Sequence, residues 1–173
     1  MRGLPLLFLL AVLALAACAP VPRSGPAAQS VAQTPEAVEL VRVYKAARTL
    51  EVWSAGRLLR RIGGIQLGWQ PVGPKQFEGD GRTPEGRYVI DWRNPRSAFY
   101  LSLHISYPDA HDVAFARARG RSAGGMIMIH GQPNGTTGRM HGDWTDGCIA
   151  VSNAEMDWLW QVVPDGSMVE INP

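Results

Sequence analysis

Apolar and polar positions alternate along much of the chain from residue 38 onward. Between Ala98 and Ser106, Phe99, Leu101, Leu103 and Ile105 fall on one side, and Tyr100, Ser102 and His104 on the other. A period of two sends successive side chains to opposite faces of an extended chain, so this stretch predicts a half-buried strand. Val38, Leu40, Val41, Val43 and Tyr44 predict an earlier strand, and Thr49 to Trp53 alternates in the same way. Ala55-Gly56 is the turn after it, and Arg57 to Ile62 returns as the hairpin partner. Ile65 to Gly68 opens a further strand, Tyr88 to Trp92 another, and Met168 to Ile171 a last one. Two segments carry helical spacing instead. Residues 109–119 form a short helix started by Asp109 or Asp112. Ser152 or Asn153 caps a second, with Glu155 in its first turn and Met156, Leu159, Trp160 and Val163 on one face. Gly, Pro and Asp recur too often in 71–87 for regular structure, and Gly120 to Gly125 break the chain again. The expectation is a mainly β domain with a few helices (α+β).

One stretch carries the candidate chemistry. The apolar run Met126 to Ile129 ends on His130-Gly131, and Asp146-Gly147-Cys148 leads into a second apolar run, Ile149 to Val151. Two short strands joined by the Gly-, Thr-, Asn- and Asp-rich interval bring His130 and Cys148 together at one sheet end. A thiol beside an imidazole is the minimum equipment for nucleophilic catalysis at neutral pH. Alone, a cysteine at the start of an apolar run is commonly a small buried hydrophobe; paired with the histidine in an exported chain, it reads as a nucleophile. Gly147 lets the backbone turn tightly and leaves amide N–H groups to face a developing oxyanion. Gly131 leaves room for substrate backbone. Of the other histidines, His104 reads as a satisfied structural residue, His111 as an exposed first-turn residue and His141 as a loop residue.

Composition bounds the class. With 46% hydrophobic and 18% charged residues the chain is too apolar to be disordered, and a net charge of +2 gives no electrostatic case for nucleic acid. Residues 1–17 place Arg2 before an apolar core, Leu4 to Ala17, that is too short to span a bilayer. The core ends in Leu15-Ala16-Ala17-Cys18, which resembles the bacterial lipobox. That resemblance implies a lipid-bearing Cys18 at a new N-terminus. Ala19 after it implies the outer membrane, facing the periplasm. The other reading is a plain secretory signal with Cys18 incidental. Residues 18–36 are Pro-, Ala-, Ser- and Gln-rich and read as a flexible tether, leaving 37–173 as the folded domain. Each of the two cysteines has a use without a disulfide, so a Cys18–Cys148 bridge is set aside.

His130-Gly131, a Gly-rich interval and then Thr145-Asp146-Gly147-Cys148-Ile149 resemble the catalytic signature of the L,D-transpeptidase (YkuD-type) family: a histidine, a spacer, then Ser/Thr-x-Gly-Cys. The segment from Thr145 to Met156 and the terminal Pro164 to Ile171 look most like the YafK-type murein branch. The resemblance implies a β-sandwich-like catalytic fold. It implies an enzyme in which Cys148 accepts an acyl group from a peptidoglycan stem peptide and His130 activates the thiol. The backbone amides of Gly147 and Cys148 would hold the oxyanion, with Gly131, Thr145 and Asp146 in support. No metal or organic cofactor is implied, and the domain is expected to work as a monomer. An amine acceptor makes the protein a transpeptidase, water a hydrolase. Many members carry histidine where Asp146 stands; the carboxylate orients His130 or binds a substrate amine. Two other classes compete. A zinc site could draw on His130, His141, Cys148 and an aspartate; a non-catalytic lipoprotein could merely bind cell-wall peptides.

Overall fold

The computed structural model describes residues 37–173. The expected export signal, lipidated Cys18 and tether lie outside the described residues. Eight strands and two helices follow in chain order: β1 (Leu40–Tyr44), β2 (Thr49–Ser54), β3 (Arg57–Gly63), β4 (Gly86–Ser97), β5 (Tyr100–Ile105), α1 (Ala110–Arg117), β6 (Met128–His130), β7 (Ile149–Ala150), α2 (Asn153–Val162) and β8 (Met168–Asn172). The β2–β3 hairpin turns on Ala55 and Gly56, at φ +46° and +70°. Positive φ at both central residues is the turn geometry that matches the twist of paired strands. Most of β3 is exposed, including Arg57, Arg60 and Arg61. Charge on an edge strand discourages pairing with a second chain.

The strand order is β3-β2-β1-β8-β4-β5-β6-β7. β8 runs parallel to β1, while β4 is antiparallel to both its neighbours. β4 carries the chain across the molecule: Gly86 to Val89 pair with β8, and Ile90 to Ser97 pair with β5. Register shifts between Ile90 and Arg93 and again between Asn94 and Ser97 bend it. Pro95, which has no N–H to give a ladder, sits in the second irregularity. Residues 65–68 form no strand. They make isolated bridges instead, Gln66 to Ala150 and Gly68 to Thr145, which tie the last strand in the order back to the segment that follows the first. The curled sheet encloses one apolar cluster in which Val41, Leu50, Ile90, Leu103, Ile129 and Leu159 are wholly buried. This is the β-rich, sandwich-like arrangement expected from the sequence, with two helices.

β5 departs from the half-buried reading. Ala98 and Phe99 form the turn between β4 and β5, and Ser102 through Ile105 are buried on both faces because α2 packs over the strand. His104 is accordingly satisfied: its Nδ1 lies 2.5 Å from Asp91 Oδ1, and Trp92 stacks on its ring. Both helices start as expected. Asp109 caps α1 and Ser152 caps α2, each with a reciprocal capping box, to Asp112 and to Glu155.

The 71–87 loop has no regular structure before Gly86, yet it is tightly built. Buried Lys45 at the end of β1 donates to the carbonyls of Gly73 and Thr83 and pairs with Glu85 at 2.8 Å. Asp80 accepts the amide hydrogens of Gln76, Phe77 and Arg82 and pairs with buried Lys75 at 2.9 Å. Burial alone would raise the Asp80 pKa, but those donors together hold it below the usual carboxylate value. The loop so fixed presses the Arg82 carbonyl against Gly147, beside the candidate nucleophile.

Candidate active site

β6 and β7 are the two apolar runs that flank the Gly-rich interval, and they pair in parallel, Ile129 with Ile149 and His130 with Ala150. His130 therefore ends β6, while Cys148 stands just before β7, level with Met128. The offset is two residues, about 6.6 Å along a strand. Both side chains line one cavity of about 310 Å³, with Phe99, Trp144, Thr145 and Asp146 around them. The expected meeting of thiol and imidazole in one pocket is present, built from parallel strands rather than from the ends of a simple hairpin.

Sulfur and imidazole are not hydrogen-bonded to each other in this resting arrangement. The Cys148 thiol donates to the Met126 carbonyl at 3.5 Å and accepts the Met128 amide hydrogen at 3.3 Å. His130 Nδ1 donates to the Gly131 carbonyl at 2.7 Å. That bond places the ring proton on Nδ1 and leaves Nε2 with its lone pair, the form a general base needs. Phe99 packs on the ring at 4.7 Å and Trp144 meets it edge-on at 5.7 Å. Burial lowers the His130 pKa, with partial opposition from the Gly131 carbonyl. Burial pushes the Cys148 thiol up to about 11; the Met128 amide opposes this, and the negative charge of Asp146 adds to it. At neutral pH the free protein thus holds a neutral thiol and a neutral imidazole, not an ion pair.

The turn before Cys148 is clamped by Thr145, whose hydroxyl donates to the Cys148 carbonyl at 2.7 Å and accepts from the Gly147 amide at 3.2 Å. This corrects the expectation for Gly147, whose N–H is already committed inside the turn. The Cys148 amide, by contrast, donates to no group among the described residues. Gly147 is required for another reason. Its φ is +133°, and a Cβ there would lie 2.5 Å from the Arg82 carbonyl oxygen. Gly131 is also corrected: a Cβ would meet Asn153 Oδ1 at 2.6 Å and Tyr100 Cβ at 2.9 Å. The space beside it is filled by α2 and β5, not left for substrate. Asp146 is exposed on the pocket wall.

Several residues that shape the site were not singled out from the sequence. Buried Gln132 donates to Val151 O and Gln66 Oε1 and accepts the Met140 amide hydrogen, so it holds the 131–145 loop down. Asn153, the first residue of α2, accepts the Gln132 amide hydrogen at 2.8 Å. Polar residues in a polar loop carry no hydrophobic signal. Trp144 was the one available clue, a large aromatic among small polar residues; its Nε1 is buried without a partner among the described residues. His141 is exposed and lies outside the pocket wall. The zinc set is not assembled. Among the described residues the metal-capable cluster is Asp109, His111 and Asp112, at the start of α1, where both aspartates are engaged in the helix cap.

The L,D-transpeptidase catalytic domain family (YkuD) matches residues 39–171. The chain belongs to that family. It is 29% identical over 136 residues to the Escherichia coli K12 protein named "Putative L,D-transpeptidase YafK", covering 71% of this chain and 46% of that one. Its fold is similar to that of the helical cell shape determining protein Pgp2 from Campylobacter jejuni, with a TM-score of 0.62 and 27% identity over 78% of this chain and 47% of that chain. An L,D-transpeptidase from Mycobacterium smegmatis shares the fold at a TM-score of 0.51 and 16% identity, over 78% of this chain and 58% of its own. The chain spans about half the length of the curated relatives it matches.

Proposed function

We propose that this chain is a cysteine acyltransferase of the L,D-transpeptidase type acting on peptidoglycan stem peptides. The observation that carries the reading is the shared cavity of Cys148 and His130, with His130 held as the Nδ1–H tautomer. As the Cys148 sulfur attacks a stem-peptide carbonyl, its proton passes to His130 Nε2. The C–N bond then breaks, and the same proton goes to the departing amine of the terminal residue. A thioester remains on Cys148. The uncommitted Cys148 amide is free to donate to the carbonyl oxygen as it gains charge. An acceptor amine resolves the thioester into a cross-link; water resolves it into a free acid. Similarity to a cell-shape-determining protein supports a role in cell-wall architecture.

Product analysis tests the reading. The protein is incubated with diaminopimelate-containing stem tetrapeptides, with and without a second amine, and products are identified by mass. Amide products that form with the wild type and vanish with Cys148→Ala are expected. Because the His130 pKa is lowered, kcat/KM should hold as pH falls through the ordinary imidazole value of about 6.5 and decline only below it. Amide formation by Cys148→Ala would contradict the assignment, and free acid as the sole product would make the protein a hydrolase.

A further inference from the structure

Asp146 stands where many family members carry histidine, and the structure separates the two roles a carboxylate could take there. It does not orient His130, because the Nδ1–H that an orienting carboxylate would accept is given to the Gly131 carbonyl at 2.7 Å. Nor is it spent elsewhere: no hydrogen bond or ion pair engages it among the described residues, whereas half-buried Asp143 pairs with Arg48 and half-buried Asp157 accepts from the Tyr100 hydroxyl. Asp146 is the one formally charged side chain on the wall of the Cys148 cavity, and the rest of that wall is aromatic, apolar or neutral polar. Among the described residues no arginine or lysine lines the wall, and Lys75, whose charge reaches the sulfur, is buried and already paired with Asp80, so a substrate carboxylate finds no free counter-charge there, whereas an ammonium finds one.

We infer that Asp146 is an acceptor subsite, a specificity-determining carboxylate that holds the primary ammonium group of the acceptor beside the thioester. This rests on the acyl-transfer reading above and deepens it. The position suits the acceptor because Asp146 is two residues from the sulfur and faces the same cavity, where the attacking nitrogen must reach the thioester carbon. Phe99 and Trp144, which line the same cavity, are aromatic rings of the kind a cation also favours. The step balances in protons. The bound ammonium loses one proton to water by way of the carboxylate. The uncharged nitrogen attacks the thioester carbon, the C–N bond forms and the C–S bond breaks. The nitrogen's second proton passes through His130 Nε2 to the sulfur, which restores the thiol. The same negative charge helps keep the free thiol protonated until a substrate arrives.

The test compares two acceptors on one acyl-enzyme. The full chain is acylated with a stem tetrapeptide. The thioester is then partitioned between a primary alkylammonium acceptor, the side-chain amine of a second tetrapeptide, and hydroxylamine, which is uncharged at neutral pH. For Asp146→Asn, the selectivity for the alkylammonium over hydroxylamine should fall about fivefold, the upper end for an exposed ion pair. Asp146→Glu should restore most of it. A misfolded or loosened pocket would lower both partitions and leave their ratio intact, so an unchanged ratio in Asp146→Asn overturns the subsite. A change confined to the donor's KM, with the ratio intact, also overturns it, because the cation held would then be the donor's. A wild-type protein that forms no acyl-enzyme overturns the acyl-transfer reading and the subsite with it.

Discussion

At the scale of single residues, reactivity here is withheld until it is needed. A thiol raised to about 11 and an imidazole lowered by burial are both neutral at pH 7, so in the proposed reaction the proton moves during attack rather than before it. Holding Cys148 in place falls to Thr145, which bonds both the carbonyl of Cys148 and the amide of Gly147. Thr145→Val keeps the shape and removes both bonds. The loss should cost about 1–3 kcal/mol in denaturant unfolding, because a buried amide is left unpaired. Turnover should fall on the order of 10- to 100-fold as the sulfur shifts. Thr145→Ser should keep both properties near wild type; a valine variant with unaltered turnover would show that the clamp is dispensable. The pair Cys148 and His130 was legible in the sequence because each borders an apolar run and cysteine is scarce. The reasons for Gly131 and Gly147 were not. A glycine is needed wherever something comes close, and what comes close here is Asn153 of α2 and the Arg82 carbonyl, both distant along the chain.

At the scale of elements, alternation and turn chemistry predicted the β2–β3 hairpin, both helices with their caps, and the last strand. They undershot β4, which continues past Trp92 through Arg93, Asn94, Pro95 and Arg96. Its second half is an irregular, largely exposed ladder, and its polar residues and proline read as a loop. They overshot residues 65–68, whose apolar side chains are buried but whose backbone makes only isolated bridges. The 71–87 loop is irregular as expected up to Glu85, with Gly86 and Arg87 already in β4, but its rigidity rests on Asp80 and Lys75, and such polar contacts leave no periodic trace. Asp80→Asn should lower unfolding stability by about 1–3 kcal/mol near neutral pH, since Lys75 loses its counter-charge in a buried setting. The Asp80 pKa is depressed, so its contribution is complete above the ordinary carboxylate range and is lost as pH falls through its lowered value. The gap between variant and wild type should therefore close in strong acid. Equal stability at pH 7 would mean that the loop is held by other contacts.

At the scale of the whole molecule, the strand order was the least legible feature. β8 inserts between β1 and β4, and β6 pairs in parallel with β7, because distant segments bury complementary faces. Pairing between segments so far apart in the chain is selected by the assembled core, not by any local pattern. The consequence for chemistry is direct: the parallel register sets His130 two residues ahead of Cys148, and the loop from β6 to β7 must wrap round to supply Trp144, Thr145 and Asp146 to the cavity wall. The fold thus serves to present one sulfur, one imidazole and one carboxylate to a single opening. Intact-protein mass spectrometry after brief mixing with a stem tetrapeptide tests that claim most directly. The account expects an added mass equal to the donor less its terminal amino acid, which leaves as the free amine, mapped to Cys148, released by hydroxylamine and absent from Cys148→Ala. Turnover of the tetrapeptide by the wild type with no adduct, or an equal adduct on Cys148→Ala, would contradict it.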